Sequence, residues 1–139
     1  MENEIRKNLI NAAIDARKNA YAPYSNYMVG AALLCGDGSI VTGCNVENAS
    51  YGAANCAERT AVFKAVSEGK RDFSAIAIAG GKRLDNTDFA FPCGICRQVL
   101  REFCRPGEFE VVVCKSETDF KETTLEKLLP DSFGPENLE

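Results

Sequence analysis

Two apolar runs of strand length constrain this chain more than any other feature. Residues 28–35 read MVGAALLC and residues 73–79 read FSAIAIA. Both fit strands in a sheet interior, and the second reads as fully buried. Such strands need cover, and the flanking segments carry helical spacing. Ile5, Leu9, Ile10, Ala13, Ile14 and Ala20 mark an amphipathic helix that ends near residues 19–20, ahead of Pro23. Gly36-Asp37-Gly38 is a turn, and residues 39–46 (SIVTGCNV) read as the returning strand. Residues 48–54 (NASYGAA) read as a loop. Ala57, Ala61, Val62, Ala65 and Val66 predict a helix over 56–68, stopped by Gly69. After the second apolar run, residues 80–91 read as a long loop, of the length expected for a lid or rim. Pro92 opens a helix over 94–103, residues 109–114 form a strand, Phe120 marks a weak one, and 124–129 form a short helix before a Pro/Gly-punctuated tail. The order α-β-β-α-β-α-β, with the weak strand and final helix, implies one mixed sheet covered on both faces in a single domain over 1–139.

Composition excludes several functions. The chain of 139 residues is 45% hydrophobic and 26% charged, a globular composition. A net charge of −4 and a pI near 5.0 argue against a nucleic-acid partner. No 18-residue charge-free apolar run exists, so no membrane span is expected. The first ten residues, MENEIRKNLI, lack the apolar run of a signal peptide, and the expectation is a cytoplasmic protein with reduced thiols. There is no histidine, which removes the commonest general base and metal ligand, and there are seven cysteines, an odd number that forbids a complete disulfide framework.

Cys56-Ala57-Glu58 and Pro92-Cys93-Gly94-Ile95-Cys96 carry the chemistry. A lone C-x-x-C is a weak signal in a chain this rich in cysteine. Its placement adds weight, because both segments fall at helix starts, where free N–H groups and the dipole favour thiolate. Two such starts that meet supply three thiolates to one zinc and leave its fourth position open, the catalytic pattern. Glu58, at a helix entry, then lies within reach of a water at that position and is the natural proton carrier in a histidine-free chain. A structural zinc knuckle or a redox pair remains an alternative for the C-x-x-C. Cys35, Cys44, Cys104 and Cys114 read as core thiols.

C-A-E followed by P-C-x-x-C resembles the signature of the zinc deaminases, with Cys in place of the first His. More specifically, Ala22-Pro23-Tyr24-Ser25, Val29-Gly30-Ala31-Ala32-Leu33, Gly43-Cys44-Asn45-Val46-Glu47-Asn48, Cys56-Ala57-Glu58-Arg59-Thr60-Ala61 and Pro92-Cys93-Gly94-Ile95-Cys96-Arg97-Gln98-Val99 resemble, in order and spacing, the small homotetrameric cytidine deaminases of nucleoside salvage. The likeness runs from residue 5 to about 133. It implies a three-layer α/β/α fold around a five-stranded mixed sheet, and hydrolytic deamination of cytidine and 2′-deoxycytidine. By the same resemblance Cys56, Cys93 and Cys96 are Zn²⁺ ligands and Glu58 is the proton shuttle. Asn45 and Glu47 hold the ribose 3′-hydroxyl, Tyr27 stacks on the base or packs by the sugar, and the Ala57 backbone meets the pyrimidine carbonyl. Arg59, one helical turn after Cys56, hydrogen-bonds the zinc-bound sulfurs, with Arg97 a second candidate. Tyr51 and Phe133 complete a neighbouring subunit's pocket in a homotetramer with shared active sites.

The chain departs from the pattern at Tyr27, where Phe is usual, at Phe91, where Ser often stands, and in the charged loop 82–89. The nearest rival is a blasticidin-S-type deaminase on the same fold. A non-catalytic zinc-binding module and a nucleic-acid-editing deaminase are the others. The acidic charge disfavours the last, and the absence of a Gly-rich phosphate cradle makes nucleotides poor substrates.

Overall fold

The computed structural model describes residues 1–85 and 87–139. Helix α1 (Asn3–Ala16) runs into a 3-10 turn (Arg17–Asn19), followed by β1 (Tyr27–Cys35), β2 (Ile40–Cys44), a 3-10 turn (Tyr51–Ala53), α2 (Ala57–Ser67), β3 (Phe73–Lys82), α3 (Gly94–Phe103), β4 (Glu110–Cys114), β5 (Phe120–Thr124), α4 (Leu125–Leu128) and a last 3-10 turn (Pro135–Leu138). The five strands form one mixed sheet in the order β2-β1-β3-β4-β5. Its neighbours are antiparallel except for the parallel pair β3–β4. The weak strand expected near Phe120 is β5. Among the described residues no helix is long and apolar enough to cross a membrane.

The period-2 alternation of the strands divides the core into two layers. Ala32, Ala75, Ala77, Ala79, Val112 and Cys114 pack with Leu9, Ile10 and Ala13 of α1. Leu33, Ile76, Ile78, Val111 and Val113 face the other way, onto Ala61, Val62 and Ala65 of α2 and Leu100 of α3. The architecture is therefore helix, sheet, helices, as expected. Small residues set the spacing. A Cβ at Gly43 would sit 2.5 Å from the Ala61 nitrogen and 2.6 Å from the Ala57 oxygen, so α2 rests directly on β2.

The direction of the strands places the site. Strands β2 and β3 both run antiparallel to β1, so both leave the sheet at the Tyr27 end of β1. The helices that follow them, α2 and α3, consequently begin at the same end of the sheet.

β3 continues past the expected boundary at residue 79, because Gly80, Gly81 and Lys82 pair with Val29, Met28 and Tyr27. The glycines read as loop residues in isolation, yet a Cβ at Gly80 would sit 2.7 Å from the Ala90 Cβ, which makes Gly80 a close-packing position. The remaining loop is closed by the Asp88 N–H, which donates to the Gly80 carbonyl at 2.6 Å. Within the charged stretch 82–89, Asn86 lies outside the described residues. Arg17, 2% exposed, donates to the carbonyls of Met28, Gly81 and Arg83 and so ties the end of α1 to the site end of β1 and β3.

Candidate metal centre and active site

Cys56 and Cys93 are the N-cap residues of α2 and α3, both with extended backbone, at φ −76°, ψ 156° and φ −67°, ψ 168°. Neither helix start has a side-chain cap, so their first N–H groups face the site without an intrahelical partner. Cys96 follows in the first turn of α3 and is fully buried. The three sulfurs lie within 4.8 Å of one another, and Cys56 Sγ is 3.8 Å from Cys93 Sγ. Sulfurs around a tetrahedral zinc, at Zn–S of about 2.3 Å, stand roughly 3.8 Å apart, so the donor set fits. Cys56, Cys93 and Cys96 are positioned to bind one zinc ion.

Arg59 reaches two of the three sulfurs. Its Nη2 donates to Cys56 Sγ at 3.2 Å and its Nε to Cys96 Sγ at 3.4 Å. Hydrogen bonds from Cys96 first, then from Arg59 and Cys93, pull the Cys56 thiol down to about 5. Cys96, bonded to that sulfur and buried, is held well above the usual thiol range. The Arg59 hydrogen bonds favour the thiolate, the form that ligates metal.

Arg97 corrects the sequence reading. It touches neither sulfur; its Nε donates to the Pro92 carbonyl and its Nη1 to the Leu128 carbonyl, both at 2.7 Å. Of the four remaining cysteines, Cys35, Cys104 and Cys114 are buried, and burial pushes the thiols of Cys104 and Cys114 up to about 12. Cys44 is only half-buried, so it does not belong to the core.

A cleft of about 350 Å³ opens beside the thiols, lined by Tyr27, Val29, Asn45, Cys56, Ala57, Glu58, Phe89, Ala90, Phe91 and Cys93. Glu58 is 4% exposed, and burial pushes its carboxyl up to about 7, where it can both take and give a proton near neutrality. The Asn45 side chain bridges β1: its Oδ1 accepts from the Val29 N–H at 2.9 Å and its Nδ2 donates to the Tyr27 carbonyl at 2.7 Å. An amide has two donors and two lone pairs on its oxygen, so half of its capacity remains for a ligand.

Glu47 and Tyr51 are not brought to that cleft. They line a second pocket of about 260 Å³ with Tyr24, Ser25, Asn48 and Ala54. Glu47 Oε1 accepts from the N–H groups of Tyr24 (2.9 Å) and Ser25 (3.1 Å), and Oε2 accepts from the Ser25 hydroxyl. The Ser25 hydroxyl, then the two N–H groups, hold this carboxyl below the usual range. Phe133 lies on the outer side of α3, its carbonyl accepting from Gln98 Nε2 at 3.0 Å and its ring 59% exposed. Sequence reasoning missed the walls Val29, Phe89 and Ala90, which are ordinary apolar residues with no local signal, and the Ser25 anchor of Glu47, which only the 22-residue separation closed by folding reveals.

A mixed sheet with a three-cysteine cradle and a buried carboxyl at the entries of two helices defines an α/β protein with a site positioned to bind zinc. Residues 3–114 match the family described as "Cytidine and deoxycytidylate deaminase zinc-binding region", and the chain belongs to that family. It is 50% identical over 133 residues to a cytidine deaminase of Halalkalibacterium halodurans, covering 96% of this chain and 97% of the relative. The crystal structure of a cytidine deaminase from Burkholderia pseudomallei superposes with a TM-score of 0.82 at 51% identity, covering 91% of this chain and 97% of that one. One from Mycobacterium tuberculosis gives 0.77 at 41%, covering 91% and 94%.

Proposed function

We propose that this chain is a zinc-dependent hydrolase that deaminates cytidine and 2′-deoxycytidine to uridine and 2′-deoxyuridine, releasing ammonia, in pyrimidine salvage. The observation that carries the reading is Glu58: a buried carboxyl, pushed up to about 7, in one cleft with Cys56 and Cys93. Zinc held by Cys56, Cys93 and Cys96 would supply Lewis-acid chemistry that lowers the pKa of the attacking water. Glu58 accepts the proton that the attacking water loses and delivers it to the ring nitrogen beside the amine-bearing carbon, then takes the remaining proton of the newly added hydroxyl and passes it to the departing amine. Ala57, the first residue of α2, offers an N–H without an intrahelical partner to the pyrimidine carbonyl. Tyr27 walls the base, and the spare capacity of Asn45 suits a sugar hydroxyl; Glu47 would join it only by turning from Tyr24 and Ser25 out of its separate pocket. Arg59 offsets the charge that three thiolates place on the metal.

In the same reading the single domain works as a homotetramer in the cytoplasm, with Tyr51 and Phe133 closing a neighbour's cleft. In support, both rings are exposed, at 75% and 59%, and both lie outside the cleft of their own chain.

The test is loss of the cytidine absorbance band by the purified protein, with and without a chelator, across a panel that includes deoxycytidine and blasticidin S. Turnover of the two nucleosides that stops on chelation is the expected result; turnover of blasticidin S alone overturns the substrate. Mixing Glu58→Gln and Phe133→Ala proteins under subunit exchange should restore a fraction of the activity. A Phe133→Ala protein as active as the parent removes the shared site.

A further inference from the structure

The three thiols are not held alike. Cys56 and Cys96 each receive a hydrogen bond from Arg59, and Cys96 is fully buried. Cys93 is exposed and has no bond from Arg59 to its sulfur. Its position depends on the backbone of the Pro92–Cys93 turn, and that turn is gripped from one side. The Arg97 guanidinium donates to the Pro92 carbonyl immediately before Cys93, while the Arg97 backbone N–H donates to the Cys93 carbonyl at 3.0 Å. The other end of the guanidinium is fixed on the Leu128 carbonyl, the last residue of α4. That helix is a firm anchor: Leu125 at its start is fully buried in the core, and Thr124 caps it by accepting from the Lys127 N–H.

We propose that Arg97 is a positioning residue for the metal centre, setting the Cys93 ligand through the backbone as Arg59 acts on the other two through sulfur. The proposal rests on Cys93 being a zinc ligand. A planar guanidinium can reach two carbonyls with separate N–H groups in fixed directions, whereas a lysine ammonium is a point donor on a flexible stem and holds such a bridge less well. Without the bridge the turn loses its tie to α4, and the exposed ligand becomes the first to leave.

The experiment compares the parent with Arg97→Gln, Arg97→Lys and Cys93→Ala, each purified with zinc. Two quantities are read: the rate of zinc transfer to a chelating dye, and the melting temperatures of the zinc-loaded and zinc-free forms. Arg97→Gln should release zinc about 10–100-fold faster, the usual cost of losing a group that orients a ligand. Arg97→Lys should fall between it and the parent. The melting temperature should drop more in the loaded form than in the zinc-free form, a difference that a general packing role does not produce. Should Arg97→Gln fail to fold, Arg97→Lys carries the same comparison. Parental release rates, or equal drops in both forms, overturn the proposal. Retention of zinc by Cys93→Ala overturns instead the ligand assignment beneath it.

Discussion

The starts of α2 and α3 are built from the same plan and used differently. Each opens on a cysteine N-cap in extended conformation, and each has an arginine in its first turns. At the α2 start the next two residues, Ala57 and Glu58, are buried against the sheet, and Arg59 turns to the sulfurs. At the α3 start the next two, Gly94 and Ile95, are exposed, Ile95 at 63%, and Arg97 turns to backbone carbonyls. The cause is the sheet beneath. Gly43 brings α2 into direct contact with β2, while a Cβ added at Gly94 would meet nothing within 4 Å. Close contact desolvates Glu58 and raises its pKa; the looser start supplies two ligands, one exposed and one buried. One entry carries the proposed acid–base group, the other the greater share of the metal cradle.

The largest test of that division is Glu58→Gln. Zinc content and melting should persist while cytidine turnover falls about 10²–10⁴-fold, the usual worth of a general acid–base group. A loss below tenfold would assign the proton to another group and erase the contrast between the two starts.

Next in size is a matched pair of glycine substitutions. Gly43→Ala forces a methyl against the backbone of Ala57 and Ala61, which cannot move without shifting α2; denaturant melts should show a loss of about 1–3 kcal/mol. Gly94→Ala enters open space at a backbone without positive φ, and should raise stability by about 0.4–1 kcal/mol through the unfolded state. Equal effects at the two sites would show that α2 and α3 are seated alike.

The smallest expected effect is at Cys114, a fully buried thiol that donates to the Ile78 carbonyl at 3.4 Å on the α1 face. Cys114→Ala should keep zinc and activity and cost on the order of 1 kcal/mol. Loss of zinc there would dissolve the distinction between ligand thiols and core thiols.

Much of this was legible along the chain. The apolar runs of β1 and β3, the helical spacing of α1 and α2, the turn at Gly36-Asp37-Gly38 and the helix starts at Cys56 and Cys93 are all local, because side-chain periodicity and backbone capping act over a few residues. The three cysteines and Glu58 were readable for the same reason: each sits within two or three residues of a helix start. What lay beyond reach was non-local. The pairing of β1 with β3 and the parallel pairing of β3 with β4, which complete the strand order, join segments more than 30 residues apart in sequence, to which no local propensity responds. The glycines that end an isolated strand, Gly80 and Gly81, are held in β3 by β1. Arg97 could not be assigned from its place beside Cys96, since one of its two partners, Leu128, is brought there only by the packing of α4 against α3. Glu47 lies two residues from Asn45 yet lines a different pocket, because Ser25 and Tyr24 take its carboxylate across the fold. Local chemistry selected the groups; the shared exit of β2 and β3 at one end of β1 decided which of them meet, because only the sheet brings together helix starts separated by 37 residues.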